Sequence, residues 1–144
     1  MVTESVEPVQ SALLALQRAT HATLQLIAAE LVDLDLTASE VNVMANLADG
    51  QGRTVSQVGR AVGARPTTLT SVLDRLERRG YISRGMRAGD RRSVLIELTD
   101  SGRGTAAVIE KAFADLERRA LEGLPPNAIA GFYTVLSALT KEGE

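Results

Sequence analysis

The sequence has few of the residues that build disulfides, metal sites and aromatic stacking surfaces. It contains no cysteine, no tryptophan, one histidine, two tyrosines and two phenylalanines among 144 residues. Without cysteine, the chain can form no disulfide, thiolate metal site or cysteine redox sensor. A metal site would depend on carboxylates, and no acidic run has the spacing of a calcium loop. We therefore expect neither a metal nor a cofactor.

Long apolar runs are absent as well. No uninterrupted apolar stretch approaches the length of a membrane span or of a signal-peptide core, and the first residues, MVTESVEP, are acidic rather than basic. These features predict a cytoplasmic protein without a membrane partner. A hydrophobic content of 44% in 144 residues suffices for one core, which predicts a single domain over residues 1–144.

Charge is distributed unevenly along the chain, whose formal net charge is −2. Between Arg53 and Arg92, ten arginines stand against Asp74, Glu77 and Asp90, so this segment carries +7 and the remainder −9. A basic face on an acidic scaffold suits phosphate binding, because neutralised phosphates supply most of the sequence-independent affinity for nucleic acid. The alternative is a basic face that is merely solvated.

Apolar residues in the N-terminal third recur every three or four positions, which is the period of an amphipathic helix. We expect this long first helix to break or bend near Thr20 and His21. Residues 37–40, Thr-Ala-Ser-Glu, have the form of a capping box and predict a second helix over about residues 38–48. The apolar face of the first helix would hold Val6, Val9, Leu13, Leu16, Leu24, Ile27 and Leu31.

Two short helices joined by a glycine turn follow. Residues 54–62 predict a third helix, which Gly63 ends. Pro66 suits the first position of a fourth helix, to about residue 79, because its missing N–H is not needed there. An outer face rich in threonine, serine and arginine makes this pair the sequence form of a helix-turn-helix. The inner faces would hold Val55, Val58 and Val62, and then Leu69, Val72, Leu73 and Leu76.

The next segment predicts a hairpin with a basic tip. Residues 81–84 and 93–98 have the composition of strands, and residues 85–92, GMRAGDRR, would form the loop between them. Beside a helix-turn-helix, such a hairpin is interpreted as a wing.

Two helices complete the chain. A fifth would run from Thr99 or Asp100 to about residue 123, and a sixth would begin at Pro125. In the sixth, apolar residues alternate three and four apart, the spacing of a helix that packs on another helix. These residues are Ile129, Phe132, Leu136 and Leu139.

Three short motifs stand in a characteristic order: Asp90-Arg91-Arg92, Leu98-Thr99 and Gly102-Arg103, preceded by LDRLERRG at residues 73–80. In this order and spacing they resemble the MarR family of winged-helix transcriptional regulators, over most of the chain. The resemblance implies a mainly α fold with a small β wing. It places a winged helix-turn-helix at residues 37–99 and helical dimerisation parts at residues 5–34 and 100–142. It also implies a homodimer that binds a near-palindromic operator as a transcriptional regulator. Of the two roles, repressor is favoured over activator.

The resemblance gives the wing residues roles in binding double-stranded DNA. Arg92 would enter a minor groove, where narrow A·T-rich DNA concentrates negative potential. Arg87 and Arg91 would contact phosphates. Asp90 would orient the wing arginine through a charge-assisted hydrogen bond, the alternative being that it only forms the turn.

The fourth helix supplies the other DNA-binding candidates. Thr67, Thr68 and Ser71 face outward near its start, within reach of base edges in a major groove. Arg65, just before the helix, would contact a phosphate or a guanine. Arg75 is a further candidate; the alternative for Arg75, as for Arg78, is an arginine that solvates the helix or pairs with its acidic residues.

The family resemblance also implies a pocket for a small aromatic or phenolic effector that weakens operator binding. Arg18, His21 and Met44 are the candidates for its lining. In the alternative interpretation His21 is a packing or interface residue and Met44 a core residue. With only four aromatic residues to stack on a planar ligand, a repressor without an effector is also an open alternative.

Two other classes of protein were weighed against a DNA-binding regulator. A winged-helix module that docks protein would leave Arg84, Arg87, Arg91 and Arg92 without a partner unless that partner were acidic. An enzyme is disfavoured, because the sequence has no nucleophile–base pair, no phosphate loop and no metal cluster. The sequence therefore predicts a DNA-binding transcriptional regulator and not an enzyme.

Overall fold

The computed structural model describes residues 11–87 and 90–142, and for residues 87 and 90–93 it describes the backbone alone. The predicted fold class, mainly α with a small β wing, is confirmed. The elements in chain order are α1 (Ala12–Glu30), a 3₁₀ helix (Val32–Leu34), α2 (Ala38–Leu47), β1 (Arg53–Thr54), α3 (Val55–Val62), α4 (Pro66–Arg78), β2 (Ile82–Arg87), β3 (Asp90–Leu98), α5 (Asp100–Leu121) and α6 (Pro126–Lys141).

The first helix is continuous, and the predicted break near Thr20 and His21 is wrong. The hydroxyl of Thr20 donates to the carbonyl of Leu16 at 2.8 Å, one turn back along the same helix. A threonine can satisfy its hydroxyl in this way without interrupting the backbone ladder. Val6 and Val9, which were assigned to the same face, lie outside the described residues.

Capping side chains determine where α2 and α3 begin. Thr37 accepts from the amide of Glu40 at 3.2 Å, and the Glu40 carboxylate accepts from the amide of Thr37 at 3.1 Å, so the predicted capping box is confirmed. Thr54 and Gln57 form a second capping box at the start of α3. The turn that follows α3 needs Gly63, whose φ of 66° lies in the left-handed region.

The sheet has three antiparallel strands in the order β1-β3-β2. The sequence analysis missed β1, two residues that pair with Leu95 and Ile96 of β3. It also made the hairpin loop too long, because β2 continues to Arg87 and β3 begins at Asp90. A register irregularity between Met86 and Arg87 marks a bulge. The glycines of residues 85–92 were read as loop-forming, whereas Gly85 lies within a strand.

The hydrophobic core lies between α2, α3, α4, the sheet and the first turns of α5. All four apolar residues predicted for the inner face of α4 are buried there. In α3, Val58 is fully buried, whereas Val55 is exposed, which corrects the prediction that it faces inward. The buried apolar residues are Leu31, Val41, Val43, Met44, Leu47, Val58, Leu69, Val72, Leu73, Leu76, Ile82, Ile96, Leu98, Ala106 and Ile109.

Internal contacts divide the chain into two compact units, with the division after Phe113, inside α5. The first unit contains the core. In the second unit, none of the described residues from Ala114 to Glu142 is buried. The single domain over residues 1–144 stays a prediction. No helix in the described part of the chain is long and apolar enough to cross a bilayer.

Candidate nucleic-acid interface

The start of α4 presents a polar face that makes few contacts within the chain. Its N-cap residue, Arg65, is exposed and its side chain forms no capping hydrogen bond, and Pro66 occupies the first turn as predicted. Thr67, Thr68 and Ser71 are exposed on the side opposite the buried leucines. The first turn of a helix also carries unpaired N–H groups and the positive end of the helix dipole. This end of α4 is therefore built to meet hydrogen-bond acceptors and negative charge.

Arg75 is held between the outer face of α4 and the buried start of α2. One guanidinium nitrogen donates to the hydroxyl of Ser71 at 2.8 Å, and its Nε lies 3.8 Å from a carboxylate oxygen of Glu40. Glu40 is the one charged residue among those buried in the described chain, with 4% of its surface exposed. A buried carboxylate needs a cation nearby, so Arg75 has a structural role in addition to the predicted contact with DNA.

Arg84 joins β2 to α4 by pairing with both acidic residues of that helix. It donates twice to Glu77, at 3.0 and 3.1 Å, and once to Asp74 at 2.7 Å. These hydrogen bonds lower the pKa of Glu77 and raise that of Arg84. Arg84 thus has acidic partners within its own chain and needs none from a docked protein. Arg78, for which solvation or pairing with these acids was the alternative to a DNA contact, reaches the carbonyl of Asp74 at 3.4 Å.

The tip of the predicted wing carries Arg87, Asp90, Arg91 and Arg92. Their backbone belongs to β2 and β3, but their side chains lie outside the described residues. The roles predicted for these four side chains stay predictions.

The wing, α4 and α5 meet at a joint built from the Leu-Thr and Gly-Arg motifs. The hydroxyl of Thr99 donates to the carbonyl of Gly80 at 2.5 Å and accepts from the amide of Gly102 at 3.0 Å, so it caps α5 while holding the end of α4. Only glycine fits at position 102, because a Cβ there would lie 1.9 Å from the carbonyl oxygen of Tyr81. Arg103 donates to the carbonyl of Leu98 at 3.3 Å. The motif therefore aligns the wing with the helices.

A second ion pair fixes the turn before β1. Both guanidinium nitrogens of Arg53 donate to the carboxylate of Asp49, at 2.6 and 2.9 Å. These bonds, with one from the amide of Gln51, lower the pKa of Asp49 to about 2. Of the ten arginines that give the central segment its charge, Arg53 and Arg84 are therefore committed to acidic partners nearby.

A pocket of about 330 Å³ lies between α1, the 3₁₀ helix, α2 and the middle of α5. Its wall is apolar apart from Asp35 and Asn42. The three predicted effector-binding residues are not brought together here. Arg18 and His21 are exposed on α1, and Met44 is fully buried in the core. The lining residues are Leu24, Ile27, Ala28, Leu31, Val32, Asp35, Leu36, Ala38, Val41, Asn42 and Phe113.

Sequence comparison decides the family. A family model described as MarR family matches residues 34–93. The HTH-type transcriptional regulator YfiV of Bacillus subtilis is 32% identical over 113 residues, which cover 78% of this chain and 70% of YfiV. The chain belongs to the MarR family. Its fold and family are those of DNA-binding transcription regulators, not of enzymes.

Solved structures share the fold of this MarR-family chain. Staphylococcus aureus MepR in its DNA-binding conformation superposes with a TM-score of 0.84 at 21% identity, covering 94% of this chain and all of MepR. NadR in complex with 4-hydroxyphenylacetate superposes with a TM-score of 0.83 at 22% identity, covering 98% of this chain and 99% of NadR.

Sequence reasoning about this MarR-family chain missed the residues that organise the site by long-range contact. The pairing of Arg84 with Asp74 and Glu77 had a recognisable signal, since two acids three residues apart lie on one side of a helix predicted to bind DNA, where a cation that pairs with both would be expected. The pocket lining had none, because its residues come from four separate elements and share no spacing.

Proposed function

We propose that this MarR-family protein is a sequence-specific DNA-binding repressor that acts as a homodimer on a near-palindromic operator. The proposal rests on one observation: around α4, some charged residues are paired with each other and others are exposed. Arg84 pairs with both acidic residues of the helix, while Arg65, Thr67 and Thr68 stay exposed at its start. DNA approaching the start of this helix therefore meets hydroxyls and an exposed guanidinium, and the acidic residues further along it are held by an ion pair.

Each element has a separate part in binding. The hydroxyls of Thr67, Thr68 and Ser71 read base edges in the major groove, and Arg65 contacts a phosphate or a guanine. Arg75 supports this face by orienting Ser71 and meets DNA from the rim of the helix. At the wing, Arg92 enters the minor groove, Arg87 and Arg91 bind phosphates, and Asp90 orients the wing arginine.

Homodimerisation is supported by the apolar surface of the terminal helices. In α1, Leu13 and Leu14 are 57% and 70% exposed, and in α6 Phe132 and Tyr133 are 55% and 64% exposed. Apolar surface of this extent marks an interaction site, and a second copy of the chain presents the same surfaces. A dimer places two copies of α4 on one face of DNA, which suits an operator with two similar half-sites.

An uncharged phenolic effector fits the pocket better than an aromatic acid does. No lysine, arginine or histidine occurs among the described residues that line it, and Asp35 would repel a carboxylate. The amide of Asn42 and the carboxylate of Asp35 offer a donor and an acceptor to a phenol hydroxyl. NadR binds 4-hydroxyphenylacetate within the same fold. We infer that a phenol in this pocket lowers operator affinity.

The first test is titration of the protein into fluorescent DNA from its own upstream region, with a shuffled duplex as control, over a series of salt concentrations. Specific binding by a dimer, with affinity falling steeply as salt rises, supports a regulator of DNA. Equal and weak binding to both duplexes would contradict it at this locus, and selection of bound genomic DNA then separates a distant operator from a protein partner.

Arg92→Ala tests the wing. It should weaken operator binding by about 1 to 3 kcal/mol and reduce the salt slope by about one unit, while dimerisation and melting stay as in the parent protein. An unchanged binding curve would remove Arg92 from the interface. Thr68→Ala should instead change the preference among operator variants, because a base contact is lost.

Addition of 4-methylphenol and of 4-hydroxyphenylacetate to the bound complex tests the effector class. Release of DNA by the neutral phenol at lower concentration than by the acid is expected. The reverse order would contradict the inference drawn from Asp35, and release by neither would favour a repressor without an effector.

A further inference from the structure

Arg79, the C-cap residue of α4, binds the loop that forms one wall of the pocket. Its two terminal guanidinium nitrogens donate to adjacent backbone carbonyls, to Asp35 at 2.5 Å and to Leu34 at 3.1 Å. These carbonyls stand at the end of the 3₁₀ helix, where no following helical turn supplies an N–H to bond them. A contact between residues 44 positions apart in the sequence thus joins the C-cap of α4 to the pocket wall.

The same side chain is fixed on its other side by the start of the wing. The guanidinium lies over the ring of Tyr81, 5.1 Å from its centroid, and one nitrogen is 3.5 Å from the Tyr81 hydroxyl. The backbone carbonyl of Tyr81 in turn accepts a hydrogen bond from the amide of Thr99 at 3.0 Å. Arg79 is therefore held at the point where α4, the wing and α5 meet.

Asp35, in the pocket wall, has an unusual backbone conformation. Its φ of 51° makes it the one residue other than glycine with a left-handed backbone among those that the structure describes. Such a conformation is unfavourable for an aspartate and persists only where neighbouring contacts hold it. The hydrogen bond from Arg79 to the Asp35 carbonyl is one such contact, and Asp35 also lines the pocket.

We propose that Arg79 is the positioning residue through which occupancy of the pocket is transmitted to α4. The inference rests on the proposed function, since it assigns regulation to the same pocket. A ligand that displaces Asp35 breaks the paired hydrogen bonds, and the last turn of α4 loses its anchor to the body of the domain. Because α4 carries the base-reading residues at its other end, its orientation changes with that anchor. A lysine cannot replace this fork, since its single ammonium does not span two adjacent carbonyls in the same way.

The test fills the pocket by mutation, so that no effector has to be known. Ala28→Phe on α1 and Ala38→Phe on α2 each place a ring in the pocket from a different helix. Both are made in the parent chain and in Arg79→Gln and Arg79→Lys backgrounds, with Lys141→Gln as a control for loss of one charge. Hydrogen exchange of the amides of Arg79 and Gly80, which close the last turn of α4, is the main measurement, and operator affinity is the second.

With Arg79 present, each filling variant should speed exchange of these amides about tenfold and weaken operator binding by a similar factor, within the usual range of allosteric coupling. In the Arg79→Gln background, exchange is already fast and filling should add less than about twofold. Arg79→Lys should fall between the two, and Lys141→Gln should behave as the parent.

Equal effects of filling with and without Arg79 would overturn the assignment of Arg79 and leave the pocket as an effector site. If filling the pocket has no effect in either background, the role assigned to Arg79 is overturned as well. The same result would overturn the coupling of the pocket to DNA binding. The hydrogen-exchange result decides the role of Arg79 even if no operator is bound, so failure of DNA binding is recognised separately. If Arg79→Gln fails to fold, the comparison is made with Arg79→Lys, in which a coupling equal to that of the parent overturns the proposal.

Discussion

The winged-helix part and the terminal helices of this chain have the same apolar periodicity but different surroundings. In α4, Leu69 and Leu76 recur at helical spacing and are buried in the core. In α6, Phe132 and Leu136 recur at similar spacing, yet Phe132 is exposed and Leu136 only half-buried. Periodicity identifies the face of a helix that avoids water. It does not specify whether the covering surface comes from the same chain or from a second copy.

The two regions also differ in how their charges are used. Around α4, arginines make paired contacts with specific acceptors, as Arg84 does with Glu77 and Arg79 with the Asp35 carbonyl. In the second unit, Arg118 pairs with Asp115 across one helical turn at 3.0 Å, with most of its side chain in water. Exposed pairs of this kind contribute little to stability. Charge therefore specifies geometry in the winged helix and mainly solvates the C-terminal helices.

The largest effect is expected at Leu136 on α6, on the apolar face that a second copy of the chain is proposed to cover. Leu136→Asp places a carboxylate in the proposed dimer surface of both copies, at a cost of order 3 kcal/mol for each. Sedimentation should show a monomer at concentrations where the parent protein is a dimer. The control is Thr134→Asp, at an exposed residue on the opposite side of α6 from Leu136, which should leave the dimer intact; a normal dimer for Leu136→Asp would refute the role of this face.

In the core, Leu76→Ala should destabilise the folded protein by about 2 to 5 kcal/mol, because it leaves a cavity beside fully buried neighbours. Urea unfolding followed by circular dichroism measures the change. Met86→Ala, at a side chain that is 68% exposed on β2, should change stability by less than about 0.5 kcal/mol. Similar losses at both positions would contradict the burial of Leu76 in the core as the source of the difference.

Two glycines of α5 sharpen the comparison within one helix. Gly102→Ala should cost about 1 to 3 kcal/mol, since its methyl group would collide with the Tyr81 carbonyl. Gly104→Ala meets nothing within 4 Å and should stabilise α5 by about 0.5 to 1 kcal/mol. Thermal melts of the two variants should therefore shift in opposite directions, and a shift in the same direction would disprove the close approach at Gly102.

The smallest effect is expected at the ion pair of Asp49 and Arg53. The pKa of Asp49 is lowered from 3.8 to about 2 in the folded protein, so the contribution of the pair is present above the unfolded value and is lost as pH falls toward 2. Since 47% of the Asp49 side chain is exposed, this contribution should be under about 1 kcal/mol. Asp49→Asn should thus lower stability slightly at pH 7 and not at pH 2, and a difference independent of pH would assign the loss to other contacts.

Local signals allowed much of the fold to be predicted. The capping box at Thr37, the proline at the start of α4 and the spacing of its leucines each depend on residues within a few positions of one another. The strand β1 escaped prediction because two residues carry no alternation, and their pairing partners lie about forty positions later in β3. The exposed face of α4 was predicted from the same periodicity as its buried face.

The sequence by itself determined the order of the α-helices and of the two hairpin strands, the polar outer face of α4 and the basic charge of the central segment, because propensity, capping and periodicity are local properties. Only the tertiary structure decided which of the basic residues are already bound. It gave Arg84 to Asp74 and Glu77, Arg79 to the wall of a pocket, and Arg75 to the buried Glu40. A guanidinium pairs with whichever acceptor the folded backbone brings within about 3 Å, and that distance is not encoded in sequence separation.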